Sequence, residues 1–170
     1  MTIASWRVRL EVPADVDAVR DVVIRAFERT DEARLVAALR AAGKATIALV
    51  GEHGGRVAGH VVFSPVTLAG APLGLGLAPL AVAPEAQRTG LGTALVRAGL
   101  DACRIGRAGV VVVLGSPAYY GRFGFVAAER HGLCSEYDVP PGVFQVLELR
   151  PEALAGRGGL VRYAEEFAGF

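Results

Sequence analysis

The sequence predicts a single mixed α/β domain, and three observations carry that prediction. Apolar residues recur at helical spacing over 16–39 and again over 91–105. Between them lie three β-rich runs, from Thr46 to Val82, separated by two turn signals. After the second helical stretch, Gly109 to Leu114 is an unbroken apolar run with four valines. A chain of 170 residues buries roughly 70% of its unfolded surface, enough for one core without a disulfide or metal staple.

Taken in order, Trp6 to Val12 alternates weakly and stops at Pro13, which suits a first strand. Pro13 opens a helix with Asp15 and Asp17 in its first turn, where carboxylates meet the positive end of the helix dipole. Val16, Val19, Val22, Val23, Ala26 and Phe27 make its apolar face. Thr30, followed by Asp31 and Glu32, reads as the cap of a second helix whose Leu35, Val36 and Leu39 lead to Gly43. Thr46 to Glu52 and Arg56 to Thr67 form a hairpin about His53-Gly54-Gly55, and Ala69-Gly70-Ala71-Pro72 turns the chain into a third strand, Leu73 to Val82. Glycines inside that strand, Gly74 and Gly76, mark a bulge or a close backbone contact.

Beyond Pro84 a helix presents Leu91, Ala94, Leu95, Ala98, Ala102 and Ile105 as its apolar positions. Gly109 to Leu114 then has the character of a strand buried on both faces. Ser116-Pro117 caps a short helix through Tyr119, Tyr120 and Phe123, ended by Gly124. Phe125 to Glu129 starts another strand, His131 to Gly142 is turn-rich, and Val143 to Leu149 alternates as a strand. Gly156 to Gly159 reads as a loose connection to the tail. The order is βααβββαβαββ, with a core of about 6–150 and a C-terminal extension, 151–170, packed on it. The tail around Arg162 to Phe167 is read two ways, as a packed edge or as a strand through which two copies form a homodimer.

Composition narrows the function. A net charge of +1 gives no field for nucleic acid or an anionic membrane. No run reaches the ~18 apolar residues of a membrane span. The start, Met1 to Arg7, lacks the basic segment and apolar core of a signal peptide. Cys103 and Cys134, the only two cysteines, read as free thiols of a cytoplasmic protein. Among the 18 basic residues only Lys44 is a lysine, a bias that reads as a GC-rich bacterial genome. His131-x-x-Cys134 has no second ligand pair at metal spacing, so no metal is expected.

The informative stretch is Leu80 to Leu95. A strand ends at Val82, Pro84 breaks it, and a helix begins near Gly90. Glycines at a helix start let the backbone approach a ligand and leave N–H groups unpaired, and the helix dipole adds positive potential. Such an end binds phosphate. No Gly-Lys-Ser/Thr follows, so this is not a P-loop, and the third glycine of a dinucleotide fingerprint is missing.

Gln87-x-x-Gly90-x-Gly92 after a β-meander resembles the acetyl-CoA signature of the GNAT family of N-acetyltransferases. Tyr120-Gly121-Arg122-Phe123-Gly124-Phe125 is similar to that family's Tyr-x-x-x-Gly-Phe segment. Gly59 to Val66 and Ala78 to Val82 further resemble its YhbS-like branch. The resemblance implies a mostly antiparallel mixed sheet with splayed central strands, flanked by helices. It implies that Leu80, Ala81 and Val82 meet the pantetheine arm, and that Arg88, Thr89, Gly90, Leu91, Gly92 and Thr93 surround the pyrophosphate. Ser116, Tyr120 and Phe123 join the cofactor side, with Ser116 standing where relatives often carry an asparagine.

Acetyl transfer to an amine needs a polarised thioester carbonyl, a neutral amine and a proton for the departing thiolate. The backbone amide of Val82, or of Leu80, is the expected oxyanion donor. Tyr120 is the expected general acid, since a phenol near ~10 stays protonated at neutral pH. Tyr119 would face elsewhere. The general base is not visible: Leu73 to Val82 contains no acid, leaving Glu28, its neighbour Glu32 and His60 as candidates, or a chain of waters. The acceptor is an amine of a small molecule or a polypeptide. A CoA-binding module without catalysis and an enzyme using a longer acyl-CoA are the alternatives.

Overall fold

The computed structural model describes residues 5–169, so the reading of Met1 to Ala4 lies outside the described residues. Strand β1 (Arg7–Leu10) leads into helices α1 (Val16–Phe27) and α2 (Asp31–Ala41). Strands β2 (Ile47–His53), β3 (Arg56–Leu68) and β4 (Ala71–Val82) form the antiparallel meander. Helix α3 (Leu91–Ile105) then crosses over to β5 (Val110–Leu114), which runs parallel to β4. The chain continues through α4 (Pro117–Tyr120), β6 (Val126–Ala127), β7 (Leu133–Ser135), β8 (Phe144–Glu148) and β9 (Gly159–Arg162). The sheet order is β1-β2-β3-β4-β5-β8-β6, with β9 joining both β3 and β7.

The junction of β4 and β5 positions the site. These strands register only at Leu75 with Val111 and Gly76 with Val112. A side chain at Gly74 would lie 2.1 Å from the Val110 carbonyl oxygen, so glycine permits the close backbone approach at the paired end. From Leu77 onward β4 pairs with β3 alone, and the sheet opens into a V between β4 and β5.

Helices α1 and α2 cover one face of the sheet and α3 the other. The buried face of α3 is Leu91, Leu95, Val96, Gly99, Leu100 and Cys103. This corrects the sequence reading: Ala94, Ala98 and Ala102 lie at its margin, and Ile105 is 84% exposed. The face is rotated because small residues set the approach. Leu91 fills the space that side chains at Gly51 and Gly59 would occupy, and the Phe63 ring lies where a Gly99 side chain would be. Each such fully buried leucine is worth about 1.5–3 kcal/mol.

Three further expectations change. Phe125 to Glu129 contributes only the two-residue β6 before a 3-10 turn, Ala128–His131. The turn-rich segment contains β7, and the loose connection at Gly156 to Gly159 leads directly into β9. Pairing of β9 with β3 on one side and β7 on the other uses both its edges within this chain, and Tyr163 and Phe167 enter the core. The tail is therefore a packed part of this sheet and not a strand free for a second copy.

Candidate active site

The turn after β4 is built to leave amides open. A 3-10 turn, Pro84–Ala86, ends the strand's path, and the Gln87 side chain donates from Nε2 to the Val82 carbonyl at 3.1 Å. Thr89 donates from Oγ1 to the Ala86 carbonyl at 2.5 Å and accepts from Trp6 Nε1 at 3.0 Å. These bonds tie the loop to itself and to the N-terminal segment. Arg88 (φ +61°) and Gly90 (φ +90°) take left-handed backbone, which aims the following amides outward. The first helical bond runs from Ala94 N–H to the Gly90 carbonyl, and no side chain caps the helix. The N–H groups of Leu91, Gly92 and Thr93 thus lack helical partners at the positive end of a four-turn helix.

These amides open onto a groove of about 590 Å³. Leu80, Val82, Gln87, Arg88, Gly90, Gly92 and Thr93 line it, as the sequence reading proposed, joined by Ala26, Phe27, Tyr119 and Arg122. A side chain at Gly92 would lie 3.0 Å from Tyr119 Oη, across the groove wall. Open amides at a positive helix end are an arrangement that can hold phosphate oxygens. Leu91 offers only its amide, because its side chain is fully buried against β2 and β3. Ala81 is likewise buried, Thr89 is turned toward Trp6, and Phe123 is half-buried against Tyr119 and Tyr120 and lines a separate pocket with Arg97 and Arg104. Ser116 sits at the start of α4, where its carbonyl accepts from the Tyr119 and Tyr120 amides. None of these five side chains lines the groove.

Sequence reasoning gave Arg122 no role and had Tyr119 facing away from Tyr120; both Arg122 and Tyr119 line the groove. Arg122 lies 4.5 Å over the Tyr119 ring and donates from Nε to the Tyr119 carbonyl at 3.0 Å. The pair brings a fixed positive charge opposite the amide cradle. Arg25 of α1 pairs with Glu85, tying that helix to the turn after β4.

A second cavity, of about 380 Å³, opens at the V between β4 and β5 and shares Phe27 and Leu80 with the first. Tyr120 lines it. The Tyr120 ring occupies the space a Gly115 side chain would fill and makes edge contacts with Tyr119 and Phe125. Burial pushes its phenol up to about 12, with the Tyr119 phenol adding to the shift. Adjacent tyrosines thus serve different cavities: Tyr119 the groove, Tyr120 the V.

Backbone direction supports the expectation for Leu80 and Val82. The Ala83 amide donates to the Ala58 carbonyl of β3 at 2.8 Å, so strand alternation turns the Val82 and Leu80 amides away from β3, toward the V.

The base candidates separate clearly. Glu28 ends α1 with left-handed backbone (φ +57°), is exposed, and lines neither cavity. His60 is fully buried, with Nε2 3.5 Å from Glu11 Oε2, on the sheet face opposite Leu91. Burial pushes Glu11 up, but His60 and the bound Arg40 together outweigh it and hold the carboxyl low. His60 therefore belongs to a buried polar cluster under α1 and α2, away from both cavities. Glu32, four residues beyond Glu28, is buried and lines the second cavity, where Arg29 chelates it.

A family model described as an acetyltransferase (GNAT) domain matches residues 7–128. The chain is 41% identical over 165 residues to the uncharacterized N-acetyltransferase YhbS of Escherichia coli K12, covering 96% of this chain and 99% of that protein. It is 34% identical to the uncharacterized N-acetyltransferase YjhQ of the same strain, covering 92% of each. The crystal structure of the E. coli YhbS protein in complex with CoA matches with a TM-score of 0.93 over 97% of this chain and 93% of that one. That of a GNAT family acetyltransferase from Brucella melitensis in complex with acetyl-CoA matches with a TM-score of 0.81 at 36% identity, over 96% and 99%.

Proposed function

The chain belongs to the GNAT acetyltransferases, and from that premise we propose that it carries an acetyl group from acetyl-CoA to a primary amine by direct transfer in a ternary complex. The observation that carries this reading is the adjacency of two cavities along the free edge of β4, with Phe27 and Leu80 lining both. One cavity has an open amide cradle suited to the pyrophosphate. The other takes the acceptor, and the thioester lies at their junction. Relatives with bound CoA and acetyl-CoA support the choice of donor.

In this reading Gly90, Leu91, Gly92 and Thr93 bind the pyrophosphate through their amides, with Arg88 and Arg122 supplying charge. The pantetheine amides lie along Leu80 and Val82, and the Val82 or Leu80 N–H meets the carbonyl oxygen where negative charge develops. Glu32 replaces Glu28 and His60 as base candidate and takes one proton from the ammonium. The neutral nitrogen attacks the thioester carbon, a C–N bond forms, and the C–S bond breaks as the intermediate collapses. Tyr120 gives its proton to sulfur and regains one from the nitrogen. The products are a neutral amide, CoA thiol and one proton released from Glu32.

The pKa of Tyr120 shapes its role. A phenol at about 12 is a weaker acid than an ordinary thiol near ~8.5, so complete transfer to a free thiolate is uphill. Tyr120 therefore acts as a hydrogen-bond donor to the charge growing on sulfur and relays the proton that nitrogen sheds. The compartment we infer is a bacterial cytoplasm, supported by two unpaired thiols and by bacterial relatives.

Titration calorimetry with acetyl-CoA, combined with CoA release across an amine library, tests the proposal. Binding lost in Gly90→Asp and turnover with at least one amine are expected. Undiminished affinity in a folded Gly90→Asp variant, or donor binding without transfer to any amine, overturns it.

A further inference from the structure

The acceptor cavity carries more chemistry than acetyl transfer requires. Among the residues lining it, Glu32 is the only charged one. The remaining walls are apolar or aromatic, with Phe27, Leu35 and Leu80 facing Tyr120, Tyr137 and Phe167. Phe167 closes the cavity from the C-terminal tail, where Lys44 holds Glu166 at 2.8 Å and Tyr137 donates from Oη to the Phe167 carbonyl at 3.4 Å. At about 380 Å³ the cavity is sized for a small molecule.

The charge on Glu32 is balanced in an unusual way. Its side chain is 5% exposed, whereas that of its partner Arg29 is 58% exposed. Arg29 donates from Nε to both carboxylate oxygens, at 2.9 and 3.0 Å, and from a terminal nitrogen to one of them. A buried carboxylate without a partner is costly, whereas a guanidinium that already reaches solvent loses little on swinging out. The arrangement holds Glu32 neutralised while the cavity lacks a cation and lets another cation take the guanidinium's place.

Resting on the acetyl-transfer reading, we propose that the acceptor is a primary monoamine on a compact apolar or aromatic body, whose ammonium displaces Arg29 from Glu32. The aromatic faces of Phe27, Tyr137 and Phe167 suit both the body and the entering cation. A second positive charge would meet only apolar and aromatic walls and is selected against by at least about 100-fold in kcat/KM.

The experiment measures CoA release and binding of 2-phenylethylamine, n-hexylamine, spermidine, glycine and a tetrapeptide by the full chain loaded with acetyl-CoA or CoA. Wild-type protein is expected to acetylate the first two and to discriminate against the others. Glu32→Gln is expected to raise KM and the calorimetric Kd for 2-phenylethylamine at least about 10-fold while acetyl-CoA affinity stays the same. Arg29→Ala removes the competing guanidinium and is expected to lower KM for the same amine, an improvement that a merely structural ion pair would not give. Thermal melts confirm that both variants are folded. Acetylation of spermidine or the peptide in preference to the apolar amines overturns the inference and leaves acetyl transfer standing, as does an Arg29→Ala KM that rises or stays unchanged. Donor binding with no acetylation of any amine overturns both.

Discussion

Substituting Gly92 by alanine separates what the fold needs from what the ligand needs. Gly92 lies in the first turn of α3 with ordinary helical backbone, where alanine is favoured over glycine by up to about 1 kcal/mol and by less so near a helix end. The added Cβ meets only Tyr119 Oη at 3.0 Å and Val82 Cγ2 at 3.6 Å, contacts that the end of the tyrosine can relieve at a cost of a few tenths. Stability should thus be unchanged or rise by about 0.5 kcal/mol. The same methyl narrows the groove beside the proposed phosphate cradle, and lifting a phosphate off one charge-assisted hydrogen bond costs about 1.5–3 kcal/mol. Affinity for acetyl-CoA should therefore fall by roughly 10- to 150-fold. Calorimetry with acetyl-CoA, alongside chemical denaturation of the unliganded protein, reads both quantities. A variant that binds acetyl-CoA as tightly as the wild type would refute the placement of the pyrophosphate. One that loses stability in step with affinity would show that Gly92 serves the fold.

Tyr120→Phe keeps the ring that packs beside Gly115 and should leave acetyl-CoA affinity unchanged while kcat falls by about 10²–10⁴. Because burial holds the Tyr120 phenol up at about 12, the wild-type rate should show no decline assignable to this group below about pH 11. A falling limb near pH 9–10 that vanishes in the variant would contradict that. Burial also raises the Cys103 thiol to about 12, whereas Cys134 is exposed, so a disulfide reagent should titrate one thiol in the native protein and two after unfolding. Hydrogen bonds from Arg9 hold Asp15 at about 2 against an ordinary 3.8. A lowered folded-state pKa contributes stability that is intact above about pH 4 and is lost as pH falls toward 2. Denaturation of wild type and Asp15→Asn should therefore converge across that window, and a constant difference would show that the carboxylate's charge is immaterial.

Much of the strand, turn and helix proposed as the donor side was legible in sequence because it is local. A strand, a proline break and two glycines opening an amphipathic helix lie within sixteen residues, Leu80 to Leu95, and each carries its own signal. The meander was legible for the same reason. Strands β7 and β9 were not, being three and four residues long and paired to partners far along the chain. The face of α3 was misread because Gly99 does not register as an apolar position, yet its missing side chain admits the Phe63 ring. Glu32 and Glu28 look alike in sequence. A left-handed residue at the end of α1 leaves Glu28 in solvent, and α2 then points Glu32 inward. Arg122 lies in a single turn, too short for any periodicity to reveal what its side chain covers.

The central claim is that the two cavities meeting between β4 and β5 hold donor and acceptor of one acetyl transfer. A crystal structure with a bisubstrate analogue, CoA joined through an acetyl bridge to 2-phenylethylamine, tests it most directly. The pyrophosphate is expected on the Gly90 to Thr93 amides, the sulfur beside Tyr120 Oη and the phenyl ring between Phe27 and Phe167. An analogue whose amine arm leaves the V toward solvent, with Glu32 still held by Arg29, would contradict it.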